Sequence, residues 1–137
     1  MRFYLDTAIW RDYYEDRQDN LRPLGEFAFQ LLKKAKKEKY EILYSDLIVD
    51  ELKRYIEETL VREMFAIISE EGLLKKVEIK RSQMIKAREL KNRLKIPFGD
   101  CLHDILAKDH KAIMVTRDKH FLDIKHLVHV AKPEELI

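Results

Sequence analysis

The 137-residue sequence predicts a three-layer α/β/α fold with a central, mainly parallel sheet of about five strands. Short apolar runs alternate with longer segments in which apolar residues recur at helical spacing. Strands that alternate with helical crossovers form parallel sheets, and helices cover both faces of such sheets. Only three glycines and three prolines interrupt the chain, which favours long helices joined by tight connections.

The first two strands and their helices follow from these patterns. A short buried strand is predicted at Phe3–Leu5, directly before Asp6, and a short helix over residues 9–15. Apolar residues at helical spacing predict a second helix from Leu24 to Ala35, which ends in a lysine-rich turn as the helix dipole favours. The second strand is expected at Glu41–Tyr44.

The second half of the chain continues the alternation. Ser45 is the predicted N-cap of a helix that carries Leu52 and Tyr55, and a further helix closes at Gly72. The remaining predicted elements are a weaker strand at Leu74–Ile79, a polar helix over 82–94, a helix over 99–110, and strands at Ala112–Val115 and Leu127–Val130. No repeat or Pro/Gly/Ser-rich linker divides the sequence, so residues 1–137 are expected to form one domain.

Composition restricts the function classes. The formal net charge is only +2, so nucleic-acid binding would depend on a local basic face or on bridging metal ions. The charged fraction of 38%, rich in Lys and Glu, is typical of thermophile proteins. Cys101 is the one cysteine, which suits the reducing cytoplasm. No apolar run has the length of a membrane span, and a charge at the start argues against a signal peptide.

Four acidic residues fall near the predicted carboxyl ends of strands. Asp6 closes the first strand, and Glu51 lies on the second turn of the helix after the second strand. Asp100 lies near the start of the helix that leads into the fourth strand, and Asp118 lies just after that strand. Open parallel sheets bind ligands at the carboxyl ends of their strands, beside a switch in strand order. We therefore expect these four carboxylates to gather at one edge of the sheet.

Converging carboxylates predict a metal site. Like charges raise each other's pKa and destabilise the fold unless a cation neutralises them. Oxygen ligands favour Mg²⁺ or Mn²⁺. Such a site serves hydrolysis of phosphodiesters, with a carboxylate-bound metal activating water. Each acid taken singly is more simply a helix cap or a surface charge, and only their joint placement favours the metal site.

Two acids beside the expected site leave alternatives open. Asp104 lies one turn after Asp100 on the same helix face, as a fifth acid of the site or as a solvated neighbour of Lys108. Asp50 competes with Glu51 for the second position. Spacing favours Glu51, because Asp50 points about 100° away round the helix.

The basic residues near these acids also have two interpretations. Arg117, Lys119 and His120 can hold phosphates of a substrate or form a solvated turn. His103 is expected to be structural, because it points away from the helix face that carries the two acids beside it. The helix from Arg81 to Lys95 can grip an RNA backbone, although a solvated helix is slightly favoured.

The sequence resembles the PIN-domain ribonucleases, the fold of VapC-type toxins and related archaeal proteins, over almost its whole length. Phe3–Thr7 looks like the opening strand of that family, with its first acid and the hydroxyl that follows. Ser45–Leu52 is similar to the second motif, and Asp100–Ala107 looks like the third. Val115–Phe121 closely resembles the fourth motif, T-x-D-x-x-F, which is the most specific of the four.

The resemblance implies a Mg²⁺- or Mn²⁺-dependent endoribonuclease that cleaves RNA. Such an enzyme is either a toxin held by an antitoxin protein or a free-standing RNA-processing enzyme, and family members often form homodimers. The implied catalytic residues are Asp6, Glu51, Asp100 and Asp118. Metal binding is assigned to Asp6, Asp100 and Asp118, with Asp104 as a further candidate, and supporting hydroxyls to Thr7 and Thr116. The family commonly has a small residue where Asp104 stands here.

Three other classes fit less well. A catalytically silent PIN-like module that binds RNA or a protein remains an alternative, although the four intact acids argue against it. A phosphorylatable receiver domain also gathers acids at strand ends, but the order of acids in this sequence fits it poorly. A haloacid-dehalogenase phosphatase needs an aspartate two residues after Asp6, and Ala8 stands at that position.

Overall fold

The structure is a computed structural model that describes residues 1–70, 72–124 and 128–137. Its strands are β1 (Arg2–Leu5), β2 (Glu41–Tyr44), β3 (Leu74–Lys76), β4 (Ile113–Val115) and β5 (Val130–Ala131). Its helices are α1 (Thr7–Glu15), α2 (Leu24–Glu38), α3 (Asp46–Leu52), α4 (Glu58–Ser69), α5 (Arg81–Leu94) and α6 (Phe98–Asp109). Short 3₁₀ helices at Lys119–Ile124 and Pro133–Glu135 complete the described elements, and the sequence patterns did not predict them.

The five strands form one parallel sheet in the order β3-β2-β1-β4-β5. β1 is therefore central, with β2 on one side and β4 on the other. The strand order reverses beside β1, and this reversal is the switch point at which parallel sheets bind ligands. The predicted three-layer α/β/α fold with a five-stranded parallel sheet is confirmed.

The helices pack in two layers around an apolar sheet. α1 contacts α2 and α3, and Trp10 of α1 meets Phe65 of α4 edge to face. α5 pairs with α6, which packs on β1 and β4. Tyr4 of β1 and Met114 of β4 are fully buried, as expected for central strands covered on both faces.

Gly25 allows α1 and α2 to approach closely. A Cβ atom at this position would lie 2.6 Å from the Cα of Asp16 and 2.7 Å from the carbonyl oxygen of Asp12. Both contacts involve backbone atoms, which cannot move aside as a flexible side chain can. Only glycine therefore fits at this position of the packed pair.

Three predicted boundaries differ from the structure. β3 ends at Lys76 instead of Ile79, because its partner β2 ends at Tyr44, the residue paired with Lys76. α3 ends at Leu52, before the predicted Tyr55. β5 begins at Val130, and Leu127 of the predicted fifth strand lies outside the described residues.

Ser45 occupies the predicted N-cap position of α3, but its side chain does not cap the helix. Its hydroxyl lies 2.7 Å from the hydroxyl oxygen of Tyr4 instead. Among the described residues, no helix is long and apolar enough to cross a membrane.

Candidate metal and active site

Asp6 lies at the switch point of the sheet. It directly follows β1 and forms the N-cap of α1, and its backbone N–H donates to the carbonyl of Val115 in β4 at 2.9 Å. One carboxylate oxygen accepts a hydrogen bond from the backbone N–H of Thr7 at 2.8 Å. The other accepts from the Thr116 hydroxyl at 2.9 Å. The side chain is thus held by the first residue of α1 and by the residue that follows β4.

The surroundings of Asp6 disfavour its charged form. The pKa of Asp6 is raised to about 6, mainly by burial and in addition by the nearby charges of Asp100 and Glu51. The charge of His103 and the hydrogen bond from Thr116 act in the opposite direction but do not cancel the effect of burial. The two other carboxylates are therefore close enough to couple electrostatically to Asp6.

Glu51 reaches the same edge of the sheet from α3. Its Oε1 accepts hydrogen bonds from the Thr7 hydroxyl at 2.7 Å and from Nε2 of His103 at 2.6 Å. Burial favours a higher pKa for Glu51, but the hydrogen bond and charge of His103, with the Thr7 hydroxyl, outweigh it and lower the pKa. Asp50 instead points outward with a side chain that is 66% exposed, 3.7 Å from the Lys53 ammonium.

A buried hydrogen-bonded chain supports Glu51. Nδ1 of His103 lies 2.7 Å from the hydroxyl of Tyr4, which lies 2.7 Å from the hydroxyl of Ser45. His103, Tyr4 and Ser45 are all fully buried. Because the carboxylate of Glu51 can only accept, Nε2 of His103 donates to it in either protonation state of the imidazole. Burial raises the pKa of Tyr4 well above its usual value, so Tyr4 keeps its proton. We call these three residues the Ser45–Tyr4–His103 chain.

Asp100 and Asp118 meet at the mouth of the site. Nδ1 of His120 lies 2.9 Å from Oδ2 of Asp100 and 3.3 Å from Oδ1 of Asp118. One potential ligand atom from each of these three residues lies within 4.8 Å of the other two, so the three can hold one metal ion. Burial raises the pKa of Asp100, and the charge of Asp118 adds to this effect, while His120 opposes it.

Thr116 connects the two halves of the cluster. Its hydroxyl donates to Asp6 at 2.9 Å and accepts from the backbone N–H of Asp118 at 3.0 Å. Asp118 in turn accepts from the backbone N–H of His120 at 2.9 Å, which shapes the turn after β4. Thr7 connects Asp6 to Glu51 in the same way, because its backbone N–H donates to Asp6 and its hydroxyl donates to Glu51. The predicted supporting hydroxyls therefore contact the acids that they were expected to support.

Among the described residues, no lysine or arginine lies within ion-pairing distance of the cluster. Within residues 1–70, 72–124 and 128–137, the ion-pair partners of the four acids are the imidazoles of His103 and His120. Arg54 acts on Glu51 only as a minor, longer-range charge. A donor set of carboxylates with one imidazole fits a divalent cation such as Mg²⁺ or Mn²⁺. The residues present therefore suit a metal centre.

Asp104 does not join this cluster. It is fully buried, and neither carboxylate oxygen has a hydrogen-bond partner among the described residues. It lines a groove between α5 and α6 with Arg93 and Lys108. Burial raises its pKa to about 7 against the charge of Lys108, and Asp104 is not among the main causes of the pKa shifts of Asp6 and Asp100. The expectation of a solvated residue is also wrong, since Asp104 is not exposed.

The three basic residues of the turn after β4 have different surroundings. Nη1 and Nη2 of Arg117 donate to the two carboxylate oxygens of Glu134 at 2.8 and 2.7 Å, and Nε lies 3.5 Å from Asp12. These pairs occupy the guanidinium, so the predicted phosphate contact of Arg117 is not supported. Lys119 is exposed, and His120 contacts the acids themselves.

His103 is the functional candidate that the sequence patterns missed. The expectation that it points away from the site is wrong, because it donates to Glu51. The contact joins α6 to α3. The residue spacing within α6 does not show which residue of another helix a side chain will contact. One signal was available: His103 stands three residues after Asp100, and residues three apart share a helix face. Tyr4, two residues before Asp6 in an extended strand, likewise faces the same side of the sheet as Asp6.

Comparison with known proteins agrees with this geometry. The family model for the PIN domain matches residues 3–127. No curated protein sequence matches this chain. Among solved structures, the chain is similar to VapBC2 of Rickettsia felis bound to a promoter DNA fragment, with 18% identity, a TM-score of 0.69, and 96% of this chain and 98% of that chain covered.

Two other solved structures share the fold at similar levels of identity. FitAcB of Neisseria gonorrhoeae is 19% identical with a TM-score of 0.65, and 99% of this chain and 100% of that chain are covered. A toxin–antitoxin complex of Klebsiella pneumoniae is 19% identical with a TM-score of 0.61, and 96% of this chain and 97% of that chain are covered. At these identities the structures show a common fold, while the family match covers most of the sequence. The chain therefore belongs to the PIN domain family.

Proposed function

We propose that this protein is a metal-dependent endoribonuclease that hydrolyses RNA phosphodiester bonds. The observation that carries the proposal is the gathering of Asp6, Glu51, Asp100 and Asp118 at the switch point without a lysine or arginine ion-paired to them in the described part of the chain. A structural cluster of acids is normally paired with basic side chains. An unpaired one stores electrostatic repulsion that a bound cation relieves.

The residues divide the expected work between them. Asp6, Asp100 and Asp118 are the proposed ligands of Mg²⁺ or Mn²⁺, with His120 beside two of them. When bound, the cation supplies positive charge that neutralises these carboxylates and polarises a phosphate ester. Glu51 is kept ionised by His103 and Thr7, so it can orient a water molecule and accept its proton. Thr116 fixes Asp6 and the Asp118 turn in place.

A cleavage assay with matched variants tests this function. The purified protein is expected to cut single-stranded RNA internally in Mg²⁺ or Mn²⁺ and to lose this activity in EDTA. Glu51→Gln should lower kcat by at least about a hundredfold, as removal of a general base does. Asp50→Asn, the exposed neighbour, should cleave like the wild type. Equal activity of both variants, or no cleavage with any divalent cation, would favour a silent PIN-like module.

Metal binding has a separate readout. Mn²⁺ or Mg²⁺ should raise the melting temperature of the wild type by mass action, by several degrees at about a hundred times the dissociation constant. The rise should be smaller for Asp100→Asn, because this substitution removes one proposed ligand. A melting temperature that stays flat up to millimolar metal would contradict the site.

An antitoxin protein is the proposed partner, in the reducing cytoplasm that a lone free cysteine suits. Similarity to the toxin–antitoxin complex supports this proposal, since the shared fold covers nearly all of both chains. Tyr14, Phe29 and Ile67 are exposed on α1, α2 and α4 and give an apolar surface that a partner or a second copy can cover. Size-exclusion chromatography with light scattering distinguishes a homodimer from a monomer that needs another protein.

A further inference from the structure

The positive charge of this molecule is concentrated in one helix. Residues 80–95 contain seven lysines and arginines and one acid, Glu89, so this segment carries a formal charge of +6. The whole chain carries only +2, which means that the rest of the molecule is net acidic. α5 therefore presents a local basic face on a protein that is not basic overall, as nucleic-acid-binding surfaces commonly do.

The structure shows that these basic side chains are not used internally. Arg88, Lys91 and Arg93 are exposed, and none lies within ion-pairing distance of an acid in the part of the chain that the structure describes. By contrast, the exposed Arg62 is paired with Glu58, and the exposed Arg22 with Asp19. Unpaired charges concentrated on one helix repel each other and are stabilised by an anionic partner.

Part of this face forms a groove of mixed chemistry. Arg88, Lys91 and Asn92 lie at i, i+3 and i+4 on one side of α5, and Phe98 at the start of α6 closes the groove. We call this set the Arg88–Phe98 groove. It combines two cations, an amide and a partly exposed aromatic ring. This is the combination that tracks a nucleic-acid backbone and stacks on a base.

The groove adjoins the carboxylate cluster. Phe98, Gly99 and Asp100 are consecutive residues in the first turn of α6. A Cβ atom built on Gly99 would lie 3.3 Å from Oε2 of Glu51, so the backbone between Phe98 and Asp100 already touches the site. In helical geometry the Cα atoms of Phe98 and Asp100 are about 5.5 Å apart. Their side chains leave the helix on different sides, so a chain molecule in the groove reaches the site by passing over the first turn of α6.

We propose that the Arg88–Phe98 groove binds an unpaired stretch of RNA that flanks the cleaved bond, with Arg88 and Lys91 on phosphates and Phe98 stacked on a base. The proposal rests on the proposed function, since it names where that site holds its substrate. We expect the groove to select single-stranded RNA, because the ring of Phe98 can stack only on a base that is not paired within a duplex. Asn92 is placed to hydrogen-bond the stacked base or its sugar.

A binding assay tests the groove independently of catalysis. The full-length protein carrying Asp6→Asn is titrated with a fluorescein-labelled 12-nucleotide single-stranded RNA in Mg²⁺, and anisotropy gives Kd over a series of salt concentrations. Adding Arg88→Gln and Lys91→Gln together should raise Kd about tenfold. The slope of log K against log salt should become shallower by about 1.4, since each phosphate contact to a single strand contributes about 0.7.

Matched variants separate the groove from general charge. Lys33→Gln with Lys37→Gln removes the same charge from α2, which packs on α1 instead of α6, and should change Kd by less than about twofold. Phe98→Leu keeps an apolar side chain and should raise Kd about tenfold without changing the salt slope, because stacking releases no counterions. Thermal unfolding verifies that each variant is folded.

Several outcomes would overturn the proposal. The first is an equal loss of RNA affinity, or no loss, in the double variants of α5 and of α2. The second is a 12-base-pair RNA duplex that competes as well as the single strand, and the third is no binding of single-stranded RNA at all. A change of oligomeric state in the α5 pair would identify the groove as a contact between copies. If RNA is cleaved but the groove variants bind normally, the groove alone is wrong. If RNA is bound through the groove but never cleaved in Mg²⁺ or Mn²⁺, the proposed function alone is wrong.

Discussion

Two groups of acids in this molecule, each built around a buried aspartate, are surrounded by different counter-charges. Around Asp12, which is 1% exposed, two arginines face two acids: Arg17 lies 2.8 Å from Asp12, and Arg117 pairs with Asp12 and Glu134. At the switch point, four acids approach one another with imidazoles as their ion-pair partners in the described residues. The acids of the first group are paired with arginine, whereas the four acids at the edge of the sheet where ligands bind have no arginine partner among the described residues.

The pKa values follow the same division. Although burial favours a higher value, the hydrogen bond and charge of Arg117 lower the pKa of Glu134. The pKa of Asp6 rises to about 6 because burial and two neighbouring carboxylates oppose its charge. The first group has its counter-charges within the folded chain, whereas the second lacks them among the described residues, and in the proposed function a cation supplies them. Substitutions in either group of acids test this contrast between arginine-paired and unpaired carboxylates, and the largest effect is expected at Asp6.

Asp6→Asn should abolish cleavage and leave the metal-free fold as stable as the wild type or more stable. Asparagine keeps the shape and one acceptor oxygen for the donors from Thr7 and Thr116, but it removes one charge from the cluster. The loss in kcat should be at least about a thousandfold, comparable to the loss of other main electrostatic groups. Steady-state kinetics and urea unfolding measure the two quantities. A variant that still cleaves at the wild-type rate contradicts the mechanism.

Asp12→Asn should have the converse effect, with lost stability and retained chemistry. It leaves Arg17 and Arg117 without the buried negative charge that they share, and breaking a buried ion pair costs about 3 to 4 kcal/mol. The fraction that remains folded should cleave RNA within about threefold of the wild type. Urea unfolding in parallel with cleavage at low temperature checks both. A stable but inactive variant would show that the two groups are not separate.

The metal-free stability should depend on pH through Asp6. Its folded pKa of about 6 lies above the unfolded value of 3.8, so the folded state binds more protons between these values. Stability is therefore lost as pH rises from about 4 to about 6, by about 3 kcal/mol from this group. The free energy of unfolding of Asp6→Asn minus that of the wild type should grow over this window in EDTA. If this difference in the free energy of unfolding does not change with pH, the pKa of Asp6 is not raised in the folded state.

Tyr4→Phe should have the smallest effect of the four. It removes the central hydroxyl of the Ser45–Tyr4–His103 chain and leaves a buried serine and a buried imidazole each short of a partner. The cost is about 1 to 2 kcal/mol of stability. Cleavage should fall about tenfold through kcat with little change in KM, because His103 then holds Glu51 less firmly.

Tyr40→Phe is the control for this experiment, since Tyr40 is half-buried, packs edge to face on Phe3 and is not a member of the chain. It should alter neither kcat nor KM by more than about twofold. Equal kinetics for the two variants would make the chain purely structural.

Periodicity was enough to predict the fold. Apolar runs and helical spacing located all five strands and six helices of the described chain, with errors of a few residues at β3, α3 and β5. The end of β3 depends on where its partner strand ends, because the pairing stops at Tyr44 of β2. The sequence of β3 alone does not show where its partner ends. The acids at strand ends could be predicted for a related reason, because parallel strands bring their carboxyl ends together wherever the intervening helices lie.

Contacts between distant elements were not predictable in the same way. Arg117 lies next to Asp118 in the sequence, but its guanidinium donates hydrogen bonds to Glu134, seventeen residues later, and not to a group in the site. His103 joins the site only because its imidazole meets Glu51 of α3. Asp104 shares a helix face with Asp100 at ideal spacing, yet it lines the groove between α5 and α6 instead of the site. Helical spacing gives the direction of a side chain but does not identify what lies opposite.

The central position of β1 has a consequence for synthesis. Asp6 is hydrogen-bonded to Thr116, a separation of 110 residues, and β1 lies between β2 and β4. During translation the first strand emerges early, but one of its two neighbours emerges only after most of the chain has been made. Non-local pairing of this kind is slow to form and exposes unpaired strand edges while it waits. A nascent chain therefore cannot assemble the four carboxylates until residue 118 has left the ribosome. The proposed ribonuclease activity would in this way be absent throughout most of the synthesis of the chain.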